Sequence, residues 1–139
     1  MKTIIATDST MLDNRLINIL SGISGLEIIA SVKDVQEAFE FIKVHNPEIL
    51  IISLKRISQS ALNALREVKL FKEEITVIVL STDSSVENNK VWGEYGANYI
   101  FDQAIHLNRM VDVLCDLLYK KQFNSIKAER ANINNQSGS

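Results

Sequence analysis

Asn46-Pro47-Glu48-Ile49-Leu50-Ile51-Ile52-Ser53 decides the fold. Every position from Ile49 to Ile52 is apolar, so the segment has none of the polar face that a half-exposed strand or an amphipathic helix shows. A strand buried on both sides satisfies that pattern, and such strands belong to parallel sheets covered by helices. Ile75-Thr76-Val77-Ile78-Val79-Leu80 reads the same way and stops at Ser81-Thr82-Asp83-Ser84. On the amino side, His45-Asn46-Pro47 closes a helix, because the residue before a proline is driven out of the α region.

The flanking segments complete an alternation. Ile4-Ile5-Ala6 is too short for a helix and runs into Asp8-Ser9-Thr10, side chains that cap helices. Leu12, Leu16, Ile19 and Leu20 then recur at helical spacing until Gly22 and Gly25. Leu26 to Ala30 predicts a second strand. Asp34 opens a helix with Val35, Ala38, Phe39 and Ile42 on one face. A third helix carries Leu62, Leu65 and Val68, and a weakly patterned fourth spans Val86 to Tyr95. Asn98-Tyr99-Ile100-Phe101 predicts the fifth strand. The last helix carries Leu107, Met110, Val111, Leu114, Cys115 and Leu118. Five strands alternating with five helices predict an α/β domain, a doubly wound five-stranded parallel sheet with helices on both faces. The domain is expected over 1–121, with 122–139 a flexible polar tail or linker.

Composition narrows the function. The chain has 139 residues, 46% hydrophobic and 23% charged, which suits one globular domain. A net charge of -2 offers no bulk electrostatic grip on nucleic acid or membrane. No apolar run nears the roughly 20 residues that span a bilayer, and the start meets polar residues too early for a leader, so a cytoplasmic location is expected. A single cysteine excludes an internal disulfide, and its place on the apolar stripe predicts a core thiol. No glycine-rich phosphate loop follows the first strand, which argues against a nucleotide site. His45 and His106 lie away from any strand end, where a surface role is expected.

In an open α/β sheet, function gathers beyond the carboxyl ends of the strands. Here those ends read Thr7-Asp8-Ser9, Ser53-Leu54-Lys55, Ser81-Thr82-Asp83 and Asp102-Gln103. From Lys2 to Lys121 the chain resembles the receiver domain of bacterial two-component response regulators. Asn46-Pro47-Glu48-Ile49-Leu50-Ile51-Ile52 is similar to that family's Pro-Asp-Leu-Ile-Leu-Leu-Asp third strand. Ser81-Thr82 matches its Thr/Ser-Ala end of the fourth strand. Gly96-Ala97-Asn98-Tyr99 matches its Gly-Ala-x-Gly-Tyr entry to the fifth, with one residue fewer. The resemblance implies the flavodoxin-like strand order 2-1-3-4-5.

The resemblance departs where its chemistry lies. Thr7-Asp8 stands for the acidic pair, Ser53 for the phosphoacceptor aspartate, Asp102 for the fifth-strand lysine and Gln103 for the proline after it. Asp8, the Ser81 hydroxyl and the switch aromatic Tyr99 remain. Mg²⁺ takes near-octahedral oxygens and usually one or two carboxylates, so binding is expected to be weak or absent, with no cofactor and no catalytic residue. The reading is a phosphorylation-independent pseudo-receiver rather than an enzyme, a protein interaction or dimerisation module in bacterial signalling or transcription regulation. Partners or a second copy are expected on the fourth helix, fifth strand and fifth helix, around Trp92, Tyr95, Phe101 and Ile105. Three alternatives stand beside it: a receiver that binds a metal or ligand through Asp8, Asp102 and Ser81; a small α/β enzyme of another type using Ser53 or Ser81 as nucleophile; and the regulatory domain of a DNA-binding response regulator.

Overall fold

Alternating side chains on the central strands divide the apolar residues between two faces, and the helices follow them. The computed structural model describes residues 1–81, 85–103 and 107–137. In chain order these form β1 (Lys2–Thr7), α1 (Thr10–Ser21), β2 (Glu27–Val32), α2 (Val35–His45), β3 (Ile49–Ser53), α3 (Gln59–Phe71), β4 (Thr76–Ser81), α4 (Val86–Glu94), β5 (Tyr99–Asp102) and α5 (Leu107–Ser137). All strands are parallel, in the order β2-β1-β3-β4-β5.

Ile5, Ile49, Ile51, Ile78 and Leu80 meet Leu12, Leu16 and Leu20 of α1 and Leu107, Met110 and Leu114 of α5. Ile4, Leu50, Ile52, Val77 and Val79 meet α2, α3 and Trp92 of α4 on the opposite face. All five residues of β3 are buried, which is why Ile49–Ile52 shows no polar alternation.

The helix ends form where the cap residues fall. Ser9, Asp34, Ser58 and Ser85 each accept a hydrogen bond from a first-turn backbone N–H. Asn46 ends α2 in the left-handed region at φ 51°, directly before Pro47. Gly96 turns the chain into β5 at φ 120°, where a Cβ atom would lie 2.6 Å from Lys69 Cγ.

Two expectations change. Where the sequence predicts a polar tail from residue 122, α5 continues to Ser137. No glycine or proline interrupts it between 107 and 137. Its first turns are anchored on the sheet, so the costly nucleation step is already met. Cys115, expected in the core, is exposed. The buried line is Leu107, Met110 and Leu114, and Cys115 lies one residue, about 100°, round the helix from it.

Candidate functional site

Strand register assembles the candidate residues into one rim. Thr7 lies beside Ser53 across β1 and β3, and Ser81 beside Asp102 across β4 and β5. Thr7, Ser53 and Ser81 are buried, at 6%, 2% and 6% exposure, so their hydroxyls need partners inside the protein.

Thr7 Oγ1 accepts from the Ser9 N–H at 3.2 Å, which fixes the turn into α1. Asp8 points across the rim. Its carboxylate accepts the Lys55 backbone N–H on both oxygens, at 3.3 and 3.1 Å. That bond ties the turn after β1 to the segment after β3, a charge-assisted use of the carboxylate. Ser53 Oγ donates to Gln103 Oε1 over a long 3.5 Å. Gln103 is held in turn by its own N–H, which donates to the Ser81 carbonyl at 3.0 Å.

The rim residues divide between adjoining clefts. Asp8, Ser53 and Gln103 line one, with Ser9, Leu12, Leu54 and Lys55. Ser81 lines another, with Asn88, Trp92 and the 54–57 segment. Leu54 and Lys55 form the wall between them. Asp102 ends β5 half-buried. Gln103 is the site residue that sequence reasoning passed over, since it registered only as the replacement of a proline. An amide immediately after a strand end was the available signal.

The expected interaction surface is rearranged. Trp92 is buried at 3% exposure and packs into the core beneath α4. Tyr95 faces α3: its hydroxyl accepts from Gln59 Nε2 at 3.1 Å, and Arg66 Cζ lies 4.3 Å from its ring centroid. Trp92 is the one buried residue of α4, so the indole serves as that helix's anchor and is withdrawn from the surface. Tyr99 and Phe101 do border the surface, stacked 6.2 Å apart on edge strand β5, with Tyr99 37% exposed. Ile105, like Thr82 and His106, lies outside the described residues.

Solved structures share this arrangement. A two-component response regulator of the LuxR family from Aurantimonas sp. SI85-9A1 superposes with a TM-score of 0.75 at 12% identity, over 86% of this chain and 85% of that one. The chain has the receiver fold. A DNA-binding response regulator of the LuxR family from Staphylococcus aureus matches with a TM-score of 0.72 at 19% identity, over 83% of this chain and 96% of that one. The receiver domain of Francisella response regulator 1452 matches at 0.70 and 18% identity, over 87% and 98%. No protein-family model matches the chain, and no curated protein matches it in sequence. Within the receiver fold, the strand ends that carry Thr7, Ser53, Ser81 and Asp102 form the carboxyl rim of the sheet. No helix among the described residues is long and apolar enough to cross a membrane.

Proposed function

We propose that this chain is a receiver-fold interaction module of bacterial signal transduction that works without a phosphoryl group. One observation carries the reading: among the described residues the cleft around Ser53 contains a single carboxylate, Asp8, and it is turned toward the Lys55 N–H, which it accepts on both oxygens. An acyl phosphate needs a carboxylate nucleophile and cationic help for the phosphoryl oxygens. Ser53 supplies a neutral hydroxyl, no histidine among the described residues lines its cleft to act as base, and the β5 strand end carries the acidic Asp102. A Mg²⁺ ion, which needs oxygen ligands rich in charge, does not fit that donor set. The rim is instead held by contacts between protein groups, Asp8 to Lys55 and Ser53 to Gln103. Its role is to fix the strand ends of the rim, and beside it on β5 the exposed Tyr99, stacked on the half-buried Phe101, offers an aromatic surface to a partner.

The test is incubation with acetyl phosphate and Mg²⁺, read by intact mass, beside an amide NMR titration with Mg²⁺ and beryllofluoride. The expected result is no gain of a phosphoryl group and no saturable shift at Asp8, Ser53, Ser81 or Tyr99. A stoichiometric mass gain, or saturable shifts at those residues, overturns the proposal.

A further inference from the structure

The outward side of α5 carries a line of side chains at heptad spacing. Asp112, Asp116, Tyr119, Phe123, Ile126 and Arg130 succeed one another at spacings of four and three, the seam of a two-helix coil. All six are exposed, with Tyr119, Phe123 and Ile126 at 69%, 54% and 47%. Tyr119 and Phe123 stack on each other 6.4 Å apart. This line runs opposite Leu107, Met110 and Leu114, which hold the same helix to the sheet. The sheet therefore fixes α5 while this line, apolar from Tyr119 to Ile126 and charged on either side, faces solvent.

The charges on this seam are segregated. From Asp112 onward its first part is acidic, Asp112 and Asp116, and its last part basic, Arg130 with Lys127 beside it; Arg109 stands one step ahead of the acidic pair. Among the described residues none of Asp112, Asp116, Lys127 and Arg130 forms an ion pair within its own chain. The stretch from Asp112 to Arg130, with one sign at each end and aromatics in the middle, is complementary to itself when reversed. In an antiparallel pair centred near Lys121, Tyr119 meets Phe123 of the second copy, and Asp112 meets Arg130. Asp116 lies between Ile126 and Lys127 of the second copy. A parallel pair would instead stack Asp112 on Asp112, Asp116 on Asp116 and Arg130 on Arg130, which is repulsive at each layer.

We infer that a second copy of this chain docks antiparallel along the outward face of α5. The contact deepens the interaction reading by naming the partner, and the aromatic surface at Tyr99 on β5 remains open beside it. A two-fold axis across the helices makes the interface isologous, so each copy supplies both halves of every ion pair.

Sedimentation equilibrium over a wide concentration range tests the proposal on the full chain. The expected result is a reversible dimer that Phe123→Ser abolishes. Asp112→Arg and Arg130→Asp should each weaken it by about tenfold or more, and the double swap should restore it, because only an antiparallel pair places these two residues together. Circular dichroism checks that each variant remains folded, as expected for exposed positions. Glu129→Cys gives a second readout: a short bismaleimide should join it to the native Cys115 of the second copy, while wild-type chains, whose Cys115 residues lie about 18 Å apart along the seam, remain uncoupled. A monomer at all concentrations, a dimer indifferent to Phe123→Ser, or a double swap no better than its parents overturns the proposal. The phosphoryl-transfer assay is independent of these outcomes: a chain that is monomeric and also inert to acetyl phosphate loses only the second copy as its partner.

Discussion

Replacing Trp92 by alanine separates a core role for this residue from an interface role. Trp92 is 3% exposed and is the one buried residue of α4, a helix whose middle is Asn88, Asn89 and Lys90. An indole buries on the order of 200 Å², which at about 25 cal/mol per Å² gives roughly 5 kcal/mol. The unfolded chain already hides part of that area, so about 3–5 kcal/mol is expected for Trp92→Ala. Against the 5–15 kcal/mol typical of a domain this is a large fraction, yet the variant should remain folded at room temperature. Urea unfolding followed by far-UV circular dichroism measures the loss, and Trp92→Phe should recover about half of it. Trp92 is the single tryptophan, so wild-type emission should be blue-shifted and shift red in the same transition. Because the indole is the anchor of α4, hydrogen exchange in Val86–Glu94 should rise more than in α3. A loss below about 1 kcal/mol, or emission at solvent wavelengths before unfolding, would refute the placement of Trp92 in the core.

Asp8→Ala should cost about 0.5–1.5 kcal/mol, modest because the carboxylate is exposed, and should speed exchange of the Lys55 amide, as NMR will show. Gly96→Ala should cost about 1–3 kcal/mol in thermal unfolding, since it places a side chain at φ 120° and against Lys69 Cγ. Burial lowers the Lys69 amine below its ordinary range, although Glu73 and Glu74 pull it upward. The unfolded chain therefore binds the Lys69 proton more tightly in the window beneath 10.5, so this residue's contribution to stability grows as pH rises through that window. Urea titrations of wild type and Lys69→Met at neutral and alkaline pH should diverge in that direction, and a constant difference would contradict it.

The fold was legible because its signals are local and agree. Ile49–Ile52 has no polar face because β3 is flanked by strands and covered on both sides, and Ser9, Asp34 and Asn46-Pro47 mark helix ends where the cap geometry forms. The rim was legible in outline, since strand ends follow from strands. Its wiring was not: the Asp8 to Lys55 bond spans 47 positions and the Ser53 to Gln103 contact 50, and neither leaves a periodic trace. Trp92 misled because an aromatic on a polar helix suits either an interface or an anchor, and only the direction of the helix axis decides. Cys115 misled because the six-residue stripe read from sequence is wider than the line that touches the sheet. The extension of α5 was hidden by its polar composition, as propensity weighs little beside an anchored start.

Asn98 gives the edge strand a fulcrum. Its side-chain carbonyl accepts both Lys69 Nζ and the Val77 N–H, each at 2.8 Å, while its own N–H donates to the Val77 carbonyl at 2.9 Å. Lys69 Nζ also reaches the Ile75 carbonyl at 2.6 Å, so α3, β4 and the entry to β5 are riveted at one corner. β5 has four residues and a single neighbouring strand, β4, with which it pairs from Tyr99 to Asp102. One short strand thus joins two places: Tyr99 and Phe101 along the sheet edge, and Asp102 and Gln103 at the rim beside Ser81 and Ser53.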